Sequence, residues 1–405
     1  MARKAKRDLT VEEQLARGPM DLPLLMLAML LLGVGLIMVM SASYATAYYD
    51  PDSNTPLDYA LKQGGFALFG LLVMFLLSRL NYQTLRVLSP ILLIGSLFLL
   101  LLVLTPLGVR LNGAKRWLRM LLVVGPTFQP SELVKVTVIL YFSHKLCRRD
   151  KRKNPKRNLR TRWGRIQAIS DHIGFTELLW PYGVILIIIA GLLMLEPHLS
   201  GTILVMLGAL SVMFASGIHW GWFVGGITGG GCLLLLIAKL TPYMNSRLSL
   251  WRDPWTDPLG KGYQTIQSLY AIGSGGLLGR GLGKSVQKYL FLPEPENDFI
   301  FSIAVEELGF IGGILILGLF MMFILRGYWI ALHARDRFGS LVAVGITTLF
   351  AVQVFLNIAV VTKLIPNTGI SLPFFSYGGT ALVIQLAEVG ILLSVSRQMP
   401  APKQD

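Results

Sequence analysis

The chain has 405 residues, of which 53% are hydrophobic and 15% charged, with a mean hydropathy of +0.60 and a formal net charge of +15. Ordinary soluble domains carry roughly 25% charged residues, so the composition excludes a soluble enzyme and predicts a membrane protein. Two cysteines, Cys147 and Cys232, give no disulfide framework, and the histidines lack the HxxxH or HExxH spacing that zinc chemistry would need.

A hydrocarbon core about 30 Å thick is crossed by about 20 mostly apolar helical residues. Such runs fall at 22–40, 59–77, 85–104, 133–142, 179–195, 199–215, 222–240, 300–324, 341–361 and 381–395. The predicted fold is all-α, a polytopic membrane protein with ten transmembrane helices over 22–396, between polar tails at 1–21 and 397–405. The first tail lacks the layout of a cleaved signal peptide, so the first run is expected to stay as an anchor. The fourth run is short and spans only if it begins near "QPSELVKV" (129–136), which brings Glu132 and Lys135 to the membrane.

Orientation follows the accumulation of lysine and arginine in short loops. Residues 145–165, "KLCRRDKRKNPKRNLRTRWGR", hold eleven bases less one acid, Asp150, which leaves +10 of the net charge. This loop, 145–177, is expected in the cytoplasm with both tails. Its charge is read as fixing topology and attracting anionic lipid, with no nucleic-acid partner. "YYDPDSNTPLD" (48–58), acidic and without a base, falls outside. "RLNGAKRWLR" (110–119) breaks the charge rule by placing four bases, Lys115 and Arg116 among them, in a short outside loop.

The longest loop, 241–299, is also placed outside. Its "GRGLGKS" (279–285), which contains Lys284, lacks the first glycine of a P-loop; its glycines serve either tight turns and packing or phosphate contact. "YQTIQSL" (263–269) forms a short helix with Gln264, Gln267 and Ser268 on one side, tolerated as a re-entrant element only where protein or a wet cavity satisfies its backbone. The loop ends in "LPEPENDFIFSIAVEELGF" (292–310), which crowds Glu294, Glu296, Asp298, Glu306 and Glu307 beside an apolar run. A helix over 299–326 would run about 42 Å and overshoot the hydrocarbon. Asp298 then stands at the outer mouth, as a helix cap or as a functional acid, with Glu294 and Glu296 solvated before it. Glu306 and Glu307 lie about two turns deeper, where acids face a cavity or a cationic partner. Lys135, Lys115, Arg116 and Lys363 are the candidate partners. Such a cluster suits an anionic, lipid-anchored substrate: cations hold a pyrophosphate and a carboxylate takes a proton from an attacking hydroxyl. An ion-coupled transporter explains much of the same pattern.

At "NGAKRWL" (112–118), "FQPSELVKV" (128–136), "YQTIQSLYAIGSGGLLGRGLGKSVQK" (263–288), "LPEPENDFIFSIAVEELGFIGG" (292–313) and "NTGISLPFFSYGGT" (367–380) the chain resembles the SEDS family of FtsW, RodA and SpoVE. The resemblance implies a ten-helix bundle with a large extracytoplasmic loop between helices 7 and 8, acting as a peptidoglycan glycosyltransferase that polymerises lipid II. It implies as partners the growing glycan strand, a class B penicillin-binding protein and other division or elongation membrane proteins. The family's essential aspartate maps onto Asp298 in "NDFIF", its polar cavity residues onto Glu132 and Lys135, and its basic pair onto Lys115 and Arg116. The substrate-binding set is completed by Gln264, Gln267, Lys284 and Lys363, with Glu306 and Glu307 as cavity acids. A divalent cation, Mg or Mn, is compatible with the implied chemistry but not required by any motif. Many members read "PDLGT" where this chain reads "EPHLSGT" (196–202), with His198 in place of the aspartate. "PEPEND" in place of "HTD" leans to the FtsW or SpoVE branch. The competing activity is a lipid II flippase, which needs a continuous polar path across the membrane; a non-catalytic scaffold leaves the outer cluster without a purpose.

Overall fold

The computed structural model describes residues 18–51, 55–111, 114–119, 127–147, 178–196, 198–226, 228–229, 249–260 and 262–399. Each predicted span is helical where it is described; of the run at 222–240 only 222–226 and 228–229 are described, and most of the basic loop lies outside the described residues.

Helix α1 (Leu22–Tyr49) starts where Asp21 accepts the Leu24 amide at 2.9 Å, with Pro23 in its first turn. It is followed by α2 (Asp58–Arg79) and α3 (Tyr82–Leu104), the latter capped by Asn81. Residues read as an outer loop instead form a small antiparallel sheet in the order β1 (Gly108–Leu111), β2 (Ala114–Arg119), β3 (Thr127–Phe128). Then come α4 (Pro130–Leu146), a π-helical turn (Leu178–Gly183) leading into α5 (Val184–Leu195), α6 (Leu199–Ala215) and α7 (Tyr263–Ser274). The chain closes with α8 (Ile300–His333), α9 (Arg337–Val361) and α10 (Gly379–Ser396). Helices α1, α2, α3, α8, α9 and α10 are each long and apolar enough to cross a membrane, so the chain is a multi-pass membrane protein. Their packing is α2 on α10, α8 on α9 and α1, α3 on α4, and α6 on α9 and α4. This buries α9, α10 and α4 inside and leaves apolar flanks of α1, α2, α3 and α8 outward.

Apart from Glu388, buried midway along α10, the charged groups sort toward the two ends of the bundle, as the cost of intramembrane charge demands. One end carries the Asp21–Arg326 pair at 2.7 Å, Arg397, and Asp336 held by Tyr82 and Gln83. The other carries the sheet, the Asp58–Lys62 pair at 2.6 Å and the Asp298 loop.

The expected uninterrupted eighth span is broken. Gly309 adopts φ +75°, which only glycine takes without strain. Residues 276–281 fill the break: the Phe310 and Ile311 amides donate to the Gly276 and Leu277 carbonyls, and the Arg280 and Gly281 amides donate to the Glu306 and Glu307 carbonyls. A Cβ at Gly309 would stand 2.3 Å from the Gly279 nitrogen, and one at Gly279 2.2 Å from the Glu307 oxygen, so the two backbones touch because both residues lack side chains.

Candidate active site

Three consecutive carbonyls fix the backbone that carries Asp298. The Tyr377 amide donates to Glu296 O, Ser376 Oγ to Asn297 O and Asn357 Nδ2 to Asp298 O, each at 2.8 Å. Asn357, buried in α9, also donates to Ile370 O at 2.7 Å. It thereby ties the loop before α8 to the "GISLPFF" turn. Gln264 of α7 joins the same assembly, donating to Pro293 O and accepting from Asn367.

Held this way, the Asp298 carboxylate is half-buried and makes no hydrogen bond to any described residue. Its Oδ2 faces Gly369, where an added Cβ would lie 3.2 Å away. It does not cap α8: Phe299 occupies the cap position, without a side-chain cap bond. Burial, with the nearby Glu294 charge, pushes its pKa up to about 6 against the opposing pull of Arg116. A carboxylate ionised at neutral pH yet more basic than usual is suited to accept a proton.

Arg116 is the electrostatic hub, acting on Asp298, Glu196 and His198. Its Nε donates to Glu196 O at 3.2 Å. The neighbouring Lys115, projecting from the other face of β2, donates to Leu104 O at the end of α3. Below them Lys135 pairs with Glu132 at 2.7 Å within α4, as expected for the polar pair of "QPSELVKV". Glu388 of α10 lies within electrostatic reach of both and was not singled out from sequence, where it sits in an apolar run. The "EPHLSGT" turn joins this line. Glu196 is buried with neither carboxylate oxygen hydrogen-bonded among the described residues, and burial pushes its pKa up to about 8. His198, buried beside Arg116 and Lys135, is pushed down to about 3 and is neutral.

Several expected members stand apart. Gln267 is half-buried on α7, Lys284 is exposed, and Lys363 lies two residues past the end of α9 with its carbonyl accepting from Trp251; no hydrogen bond or ion pair among the described residues ties them to Asp298. Glu306 and Glu307 are not open cavity acids. Both are fully buried and saturated. Glu306 accepts from Ser285 Oγ (2.5 Å), Val286 N (3.0 Å), Ser274 Oγ (3.3 Å) and Gln287 N (3.4 Å). Glu307 accepts from Ser41 Oγ (2.7 Å), Gly283 N (3.0 Å) and Ser285 N (3.3 Å). Their cations are Lys288, 3.0 Å from Glu307, and Arg280, 3.7 Å from Glu306, rather than Lys135, Lys115, Arg116 or Lys363. "GRGLGKS" does wrap its amides around anions, but the anions are the chain's own carboxylates. Glu296 is also corrected: it is buried, accepts from Thr46 Oγ1 at 3.3 Å, and burial pushes it up to about 7, whereas Glu294 stays exposed.

Fold and site together define a polytopic helical membrane protein with a carboxylate and cation site at one end of its bundle. The family model of FtsW, RodA and SpoVE, described as cell cycle protein, matches residues 22–400. The chain belongs to this family. It is 44% identical to stage V sporulation protein E of Bacillus subtilis over 382 residues, 93% of this chain and 97% of that protein. It is 39% identical to a probable peptidoglycan glycosyltransferase FtsW of Geobacter metallireducens over 381 residues, 94% of this chain and 95% of the relative. Among solved structures, a chain from work on coordination of polymerization and crosslinking by a peptidoglycan synthase complex superposes with TM-score 0.72 at 29% identity, covering 95% of this chain and 99% of that one. RodA of Thermus thermophilus superposes with TM-score 0.63 at 27% identity, covering 95% and 98%.

Proposed function

We propose that the protein is a peptidoglycan glycosyltransferase that polymerises lipid II into glycan strands at the outer face of the cytoplasmic membrane, with Asp298 as general base. The observation that carries this reading is the contrast at Asp298: three clamps fix the backbone of residues 296–298 while its carboxylate makes no hydrogen bond to any described residue. The acceptor's C4 hydroxyl attacks C1 of the donor muramic acid and its proton passes to Asp298. The bond from C1 to the pyrophosphate oxygen breaks, and undecaprenyl pyrophosphate leaves. Arg116, partly exposed and acting on Asp298, is placed to meet the charge that develops on the leaving pyrophosphate. The names of the FtsW relatives and of the synthase complex support this activity, and the complex supports a class B penicillin-binding protein as partner.

No group of three or more His, Cys, Asp or Glu side chains that could hold a metal occurs among the described residues. Mg or Mn would therefore be held chiefly by the substrate phosphates and water and would supply further charge neutralisation there. Ten spans with both termini and the basic loop in the cytoplasm, and the 241–299 loop outside, complete the reading; the segregation of charge to the two bundle ends supports it. A flippase would continue the charged line of Arg116, Lys135 and Glu388 to the opposite end. Beyond Glu388, α10 continues as "VGILLSVS" without a charge.

Purified protein given lipid II should make glycan strands, and Asp298→Asn should make them about 10²- to 10⁴-fold more slowly. Translocation of lipid II across vesicles with no strand synthesis would overturn the assignment. For topology, a thiol probe at Leu259, which is 90% exposed, should react from outside and one at Asn158 should not.

A further inference from the structure

Because Glu306 and Glu307 occupy the amides of the glycine-rich segment, what that segment presents outward is apolar. Leu277, Leu278 and Leu282 are 68%, 81% and 53% exposed, on a segment that also carries Arg280 and Lys284. Across the Gly309 break, Phe310 and Ile311 are exposed too, and Ile314 and Leu315 continue the same apolar flank down α8.

Helical rise gives the depth of this tip. The Asp21–Arg326 pair marks the charged end of the bundle. At about 1.5 Å per residue, Leu22 to Ser41 climbs about 28 Å and Arg326 to Gly309 about 25 Å. Ser41 donates to Glu307, so two helices separately put the tip near the far edge of a hydrocarbon core about 30 Å thick. Backbone at that depth persists only where protein satisfies its polar groups. Here the broken α8 does so through Gly276 O, Leu277 O, Arg280 N and Gly281 N, and the two glutamates do so through Gly283 N, Ser285 N, Val286 N and Gln287 N.

We propose that residues 276–283 form a re-entrant tip whose Leu277, Leu278 and Leu282 side chains lie among the lipid acyl chains of the leaflet on the Asp298 side, with Arg280 and Lys284 at the level of the lipid phosphates. The occupant is bilayer lipid because the tip is continuous with the outward apolar flank of a spanning helix and carries the exposed cations Arg280 and Lys284 beside its leucines. Through α7 and the Glu306–Glu307 clamp, the tip sets the height of Asp298, which by helical rise from Gly309 stands about 16 Å further out. That height is where a phosphate-linked head group, not an acyl chain, meets it.

The test uses the full-length protein with Cys147 and Cys232 replaced, carrying a single Leu278→Cys labelled with an NBD fluorophore. The protein is placed, without partners, in nanodiscs of phosphatidylglycerol and phosphatidylethanolamine. Leu259→Cys serves as the aqueous control. The expected result is blue-shifted emission at 278, with strong loss of intensity to lipids doxyl-labelled near the head group and less to deep labels, while 259 emits as in water. Water-like emission at 278 overturns the insertion. Blue-shifted emission without quenching by lipid means that protein covers the tip, and overturns it equally. Leu282→Cys repeats the measurement at a second exposed position. Strand synthesis is not read, so an inactive enzyme would leave this result standing, and a failed insertion would leave the reaction untouched.

Discussion

Asp298 and the pair Glu306–Glu307 lie within ten residues of one another and have opposite fates. Glu306 and Glu307 are sealed in and accept hydrogen bonds from serine hydroxyls, loop amides and a lysine, so each charge is matched by the fold. Asp298 has its backbone clamped and its carboxylate left without a hydrogen bond to any described residue. A saturated buried carboxylate has no capacity left for chemistry; an under-satisfied one on a rigid backbone does. Burial alone therefore does not mark the reactive acid, since the acids that are buried deepest here are the structural ones.

The largest effect expected from this contrast is on turnover. A positioned base contributes about 10² to 10⁴ in rate, so Asp298→Asn should lower strand synthesis from lipid II by that factor while thermal melting in detergent stays near that of the parent. A rate near the parent's would break the contrast. Glu307→Gln should do the reverse. Leaving Lys288 buried without its ion pair should cost about 3–5 kcal/mol, read as a lower melting temperature, and adding Lys288→Met should recover part of it. If Glu307→Gln melts like the parent, the clamp is not structural.

Asn357→Ala sharpens the comparison from the backbone side. It frees the Asp298 and Ile370 carbonyls and costs about 1–3 kcal/mol if they stay buried and unpaired. Turnover should fall more than lipid II affinity, because the base is misplaced while the substrate contacts remain. Equal losses in both would point to general unfolding.

Two smaller effects follow from pH. Burial pushes the Glu196 carboxyl up to about 8 from its ordinary 4.5, so the native state holds the extra proton between those values and stability should fall as pH rises through that window. Glu196→Gln should flatten that decline; a decline of parental steepness in the variant would assign it to other groups. On the proposed mechanism the active form of Asp298 is the ionised one, so the rate should fall as pH drops through about 6. Glu294→Gln removes a neighbouring negative charge and should move that acid limb to lower pH with the neutral-pH rate little changed. An unmoved limb would mean that Glu294 does not act on the base.

Sequence by itself determined the apolar runs, and hence where helices cross, because the cost of charge in hydrocarbon is written into composition one residue at a time. It also determined Asp298, Arg116 and the Glu132–Lys135 pair as candidates, through motif wording and the short i,i+3 spacing that a helix brings together. Only the tertiary structure decided which acids are free. The partners of Glu306 and Glu307 come from Ser41 on α1 and from a loop of amides that carry no sequence signal. The three clamps on the Asp298 loop come from α9 and from the turn before α10, across at least 59 residues of chain. Lys115 and Arg116 are adjacent in sequence and equal in charge, yet the pleat of β2 sends one to the end of α3 and the other toward Asp298. Hydrogen-bond saturation is a property of distant segments meeting, and no local pattern of residues encodes it.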